Sequence, residues 1–183
     1  MSNLLDLCTT NSTTSLGPCA EVRVGEHVTR YVRRGSGPAV VVVGADTHAS
    51  PVWTPLVEWL ATSHRVFVPE PPPTADADVS VWLRGFIEGI GVSSIVLIAG
   101  DAAFSAALDL ATTDDFTVRR LILLTTTSNG GQPASDRTLW ILPEWSPADS
   151  LRRTEAFLGE TEGSANGRTP APNASLGIAP IAR

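Results

Sequence analysis

The sequence predicts a three-layer α/β domain: a mostly parallel, twisted sheet of seven to eight strands that opens with an antiparallel hairpin and carries helices on both faces. Three observations carry this. Residues Glu21–Val24 and His27–Arg34 flank Gly25-Glu26, a two-residue turn between strand-like runs. Residues Ala39–Val43 form a continuous apolar run rich in valine, the mark of a strand buried on both faces. After it, short apolar runs alternate with segments of helical period, which implies parallel strands joined by right-handed crossovers.

The elements follow in order. Residues 1–19, rich in Ser, Thr and Asn, read as a flexible arm, and residues 20–183 as one domain. Gly35-Ser36-Gly37-Pro38 ends the hairpin. Trp53, Leu56, Val57 and Leu60 share one helical face, and Arg65–Pro69 is the next strand. Glu70-Pro71-Pro72-Pro73 reads as a rigid connector. Val79, Trp82, Leu83, Phe86, Ile87 and Ile90 give the cleanest helical period, with Gly91 as its stop. Then come a strand at Ser94–Ala99, a small-residue helix at Ala102–Ala111, and strands at Arg119–Thr125 and Thr138–Leu142. A helix is expected at Ala148–Leu158, and a final strand within Asn173–Arg183.

Composition narrows the function classes. The net charge of −6 disfavours nucleic acid as a partner. No apolar run reaches membrane-spanning length, and Met1–Cys8 has no basic residue ahead of its apolar stretch, so a cytoplasmic protein is expected, of bacterial type. All 13 basic residues are arginine, which removes the Schiff-base and P-loop chemistry that needs lysine. Cys8 and Cys19 could form a disulfide, but free thiols are the expectation for a cytosolic chain. No spacing suggests a metal site or a cofactor.

One stretch carries chemistry. Leu97-Ile98-Ala99-Gly100-Asp101-Ala102-Ala103 runs from an apolar strand into a helix through small residues, the layout of a nucleophile elbow. The usual Gly-x-Ser-x-Gly reads here Ala99-Gly100-Asp101-Ala102-Ala103, with aspartate at the serine position. Asp101 therefore reads either as a nucleophile or as a helix-capping carboxylate. His48 and Asp46 follow the buried valine strand, so Asp46, His48 and Asp101 would meet where ligands bind in open α/β sheets. Trp145 would line the mouth of that crevice.

With these elements the chain resembles the α/β-hydrolase superfamily, over roughly residues 20–183. Val41-Val42-Val43-Gly44-Ala45-Asp46 stands where the family has a strand ending in His-Gly and its oxyanion loop, and Pro69-Glu70-Pro71 where it has Pro-Asp. Thr138-Leu139-Trp140-Ile141-Leu142-Pro143-Glu144-Trp145-Ser146-Pro147 is similar to the seventh strand and its acid loop, with Ser146 at the acid. Asn173–Arg183 resembles the eighth strand, and no histidine follows His64.

The resemblance thus implies Asp101 as nucleophile, Ser146 as acid and no histidine. An aspartate there is similar to epoxide hydrolases and haloalkane dehalogenases, and the oxyanion donors would be the N–H groups of Ala102 and Asp46. Thr126–Arg137 is too short to be a cap domain. The expectation is a non-hydrolytic pseudoenzyme serving as a binding or assembly partner. The alternative is a rewired enzyme using Asp101, either an epoxide, haloalkane or ester hydrolase or a cyclase, lyase or isomerase. Expected partners are a small molecule in the crevice and a second copy, through apolar residues among Trp140, Leu142, Leu176 and Ile178.

Overall fold

The computed structural model describes residues 19–44, 53–70, 78–113, 117–124, 136–141 and 146–159. Seven strands form one sheet: β1 (Cys19–Val24), β2 (His27–Arg34), β3 (Ala39–Val43), β4 (Arg65–Pro69), β5 (Ile95–Ala99), β6 (Val118–Leu124) and β7 (Thr138–Ile141). Their order is β1-β2-β4-β3-β5-β6-β7. β1 pairs with β2, and β2 with β4, antiparallel; every other pairing is parallel. The hairpin turns at Gly25, whose φ of 58° lies in the left-handed region that glycine favours.

Four helices clothe the sheet: α1 (Trp53–Leu60), α2 (Val79–Gly89), α3 (Phe104–Thr113) and α4 (Pro147–Gly159). A 3-10 turn, Asp101–Ala103, precedes α3. The chain steps one way along the sheet from β3 to β4, then reverses past β3 to β5 and β6. Right-handed crossovers must then put α1 on one face and α2 and α3 on the other, and the two cores agree. Val41, Val43, Phe67, Leu97 and Leu123 pack with Leu83, Phe86 and Leu110 of α2 and α3. Val40, Val42, Val66, Ile98, Ile122 and Ile141 pack with Leu56, Leu60 and Phe157 of α1 and α4. The alternation of strand side chains between faces explains why β3 is valine almost throughout: both faces bury it.

α2 has the period expected of it. Its start is fixed by Asp78, whose side chain accepts from the N–H groups of Ser80 and Val81. At the other end Ile90 is the last capped residue and Gly91, at φ 68°, turns the chain away. Gly85 and Gly89 face β1. A Cβ on either would stand 2.8 Å from Val24 Cγ1 or 2.6 Å from Val22 Cγ2, so these glycines let the hairpin close onto the helix.

Three expectations are corrected. Cys19 is disulfide-bonded and so is not a free thiol. The first strand starts at Cys19 rather than Glu21, with Cys19 and Ala20 paired to Val32 and Tyr31. The small-residue helix begins as a 3-10 turn at Asp101 and continues to Thr113, where the Thr112 and Thr113 hydroxyls donate back to the carbonyls of Leu108 and Asp109 in the preceding turn. The expected eighth strand and cap region, and Leu142, Leu176 and Ile178, lie outside the described residues. Among the described residues no helix is long and apolar enough to cross a membrane.

Candidate active site

The strand order reverses between β3 and β5, and open α/β sheets bind ligands at the carboxyl ends of the strands at such a point. In register, Val43 pairs with Ala99, so Gly44 and Gly100 leave the two strands side by side. The Gly100 N–H donates to the Val43 carbonyl at 2.9 Å, and the Ala103 N–H donates to the Gly100 carbonyl at 2.9 Å. The approach is close enough to require glycine at both positions. A Cβ on Gly100 would stand 2.6 Å from the Gly44 carbonyl oxygen and 3.0 Å from Trp53. Gly44 has φ 65°, and a Cβ there would meet Ala103 at 3.0 Å.

Asp101 follows directly, at the tip of β5, and is exposed. It opens the 3-10 turn, and Gly100 (φ −88°, ψ 174°) occupies the capping position that Asp101 was considered for. The turn is unstrained: among the described residues, no residue other than glycine has positive φ. The N–H groups of Asp101 and Ala102 lie in the first turn of a helix-like segment, where backbone donors point outward and favour negative charge. Ala102 is exposed and Ala103 buried. Phe104, next along, packs on Trp140 of β7 with ring centroids 5.1 Å apart.

Asp46, His48 and Trp145 lie outside the described residues, so only Asp101 and Ala102 of the expected site are placed. Ser146 stands at the start of α4. Its hydroxyl donates to Asp149 Oδ2 at 2.6 Å and accepts from the Asp149 N–H at 3.1 Å. That reciprocal pair is a helix cap. It holds the Asp149 carboxyl below its usual 3.8, with the nearby Arg152 guanidinium as the second cause. His64 sits between α1 and β4 with Nδ1 2.9 Å from the Ser63 hydroxyl, and His27 opens β2, so neither joins Asp101.

One residue at this end of the sheet escaped sequence reasoning. Glu70 closes β4, its N–H donating to the Arg30 carbonyl at 2.8 Å. Its Oε1 is buried without a hydrogen-bond partner, and burial raises its carboxyl above the usual 4.5 against the opposing pull of Arg30. Among the described residues, no three of His, Cys, Asp and Glu gather as a metal site.

No family model and no curated protein sequence matches the chain. Solved structures do. A putative lipase from Acinetobacter baumannii AYE superposes with TM-score 0.52 at 20% identity, over 63% of this chain and 44% of that one. A haloalkane dehalogenase variant from Bradyrhizobium elkanii gives TM-score 0.50 at 19% identity, over 58% of this chain and 39% of the other. The epoxide hydrolase CorEH gives 0.51 at 18%, over 64% and 47%. The chain thus matches less than half the length of each. Sheet order, the antiparallel opening, the strand-to-helix turn at Asp101 and these superpositions together show that the chain has the α/β-hydrolase fold.

Proposed function

We propose that this chain is a non-hydrolytic α/β-hydrolase-fold protein that works as a binding or assembly partner. The observation that carries the reading is the state of Ser146. At the position where the resemblance expects an acid to orient a base, a hydroxyl is engaged in capping α4 through Asp149. A triad needs a base beside the nucleophile and a third group to hold that base. The unstrained turn at Asp101 adds support, since a nucleophile elbow holds its side chain in a strained turn. The test is turnover of a panel of esters, epoxides and haloalkanes. No turnover above buffer is expected, and activity that disappears in Asp101→Ala would overturn the reading.

A second reading is favoured by the exposure of Asp101 beside outward-pointing N–H groups. A carboxylate is ionised at neutral pH and can attack carbon or take a proton without a partner base. In that case the chain would be a rewired enzyme of the hydrolase, cyclase, lyase or isomerase kind, with His48 and Asp46 completing the site and Trp145 lining its mouth.

The proposed assembly is a homodimer through the β7 side of the sheet. α4 packs on the α1 face. A parallel strand joined to α4 and added outside β7 would need a left-handed crossover, the hand such connections avoid in about 98% of cases. A second copy adding at this edge meets no such restriction. The proposed cytoplasmic location has to accommodate the Cys19 disulfide, a bond typical of oxidising compartments.

A further inference from the structure

At the other end of the strands from Asp101 lies a group of donors with nothing to bond. Arg120 stands near the start of β6, paired in register with Val96, on the face that carries α4. Its guanidinium lies over the Phe157 ring, Cζ 4.4 Å from the centroid. One of its terminal nitrogens, Nη1, is buried without a hydrogen-bond partner. One turn before Phe157, on the same buried face of α4, Thr154 is fully buried and its Oγ1 also has no partner. A helical threonine ordinarily bonds the carbonyl four residues back; Thr154 does not, whereas Ser150, a turn earlier, does so at 3.1 Å to the Ser146 carbonyl. Phe157 thus has an orphaned cationic donor against its ring and an orphaned hydroxyl one turn away.

A buried charge left without a counter-ion, or a buried donor without an acceptor, is costly. Arg120 Nη1 can only donate and is cationic, and the Thr154 hydroxyl can turn its O–H to the same acceptor, so an anion relieves both. Arg153 and Glu155 flank Thr154 in α4. We propose that Arg120 and Thr154 form an anion site beneath α4, taking a single-atom anion of chloride size that joins β6 to the helix. The site is separate from the crevice and stands whether or not Asp101 has a chemical role.

The test uses the full chain. Crystals soaked in sodium bromide should show an anomalous peak within hydrogen-bonding reach of Arg120 Nη1 and Thr154 Oγ1. In solution, thermal unfolding is followed as chloride replaces gluconate at constant ionic strength, and the midpoint should rise with chloride. Arg120→Met keeps an apolar stem on Phe157 and should lose that rise. Thr154→Val removes the orphaned hydroxyl at constant shape. It should be more stable than the wild type in gluconate yet bind chloride about tenfold more weakly, the worth of one hydrogen bond to a charged group. A bromide peak absent from the site, or midpoints that rise equally in wild type and both variants, would mean an adventitious ion only and would overturn the proposal. If Arg120→Met does not fold, Thr154→Val decides, because its two effects have opposite signs and a merely structural role predicts only the first.

Discussion

Thr29 shows what a single polar atom does in this sheet. It is 5% exposed, on the α2 face of β2, and its hydroxyl accepts from Trp82 Nε1 at 2.9 Å. The bond ties the hairpin to α2, fifty-three residues later in sequence. Thr29→Val keeps the shape and removes the acceptor, leaving a buried indole N–H unpaired. The expected loss is about 1–3 kcal/mol in urea unfolding, with the slope unchanged. A loss below about 0.5 kcal/mol would mean that the indole finds another acceptor. Nothing in the sequence pointed to this pair. Trp82 was legible as a core position from its spacing, but a bond across so many residues has no local signature. The same holds for Glu70, whose significance comes from the strand beside it rather than from its neighbours in the chain.

At the scale of elements, the sequence was most legible where period and punctuation agreed. α2 shows both, with its apolar stripe and Gly91, and Asp78 just before the first apolar position was a readable cap signal that the stripe overshadowed. Boundaries drifted at the end of α3, where Thr112 and Thr113, poor helix formers, still lie in the helix with their hydroxyls bonded back to Leu108 and Asp109. At α4 the cap occupies the position of the expected acid. Ser146 bonds Asp149 in both directions, and this, followed by Arg152, lowers the Asp149 carboxyl. A carboxyl lowered on folding contributes stability above its ordinary 3.8 and loses it as pH falls through the lower folded value. Ser146→Ala removes the largest cause. The variant should be less stable than wild type at neutral pH, and the gap should narrow as pH drops below about 4. Thermal unfolding at pH 7 and pH 3 reads this directly. A gap of equal size at both would assign the whole effect to the backbone cap and none to the carboxylate.

For the whole molecule, the fold class was legible because one sheet buries both of its faces, which leaves continuous apolar runs in the central strands. Of the expected site, Asp101 and Ala102 fall among the described residues, at a strand-to-helix turn whose local pattern was readable in the sequence. What joins the two cores is the sheet, and β5 is an inner strand of it, between β3 and β6: Leu97 and Ile98 are both 0% exposed and point to opposite faces. Leu97→Ala opens a cavity toward α2 and α3, and Ile98→Ala one toward α1 and α4. Each should cost about 2–5 kcal/mol, by lost burial and residual cavity. If the sheet couples the faces, each variant unfolds in one transition, and fluorescence from Trp82 on one face and Trp53 on the other moves together. Single-tryptophan versions of each variant separate the two signals. Were Ile98→Ala to release Trp53 at a lower urea concentration than Trp82, the two layers would be separate cooperative units, and the shared strands would not bind them into one.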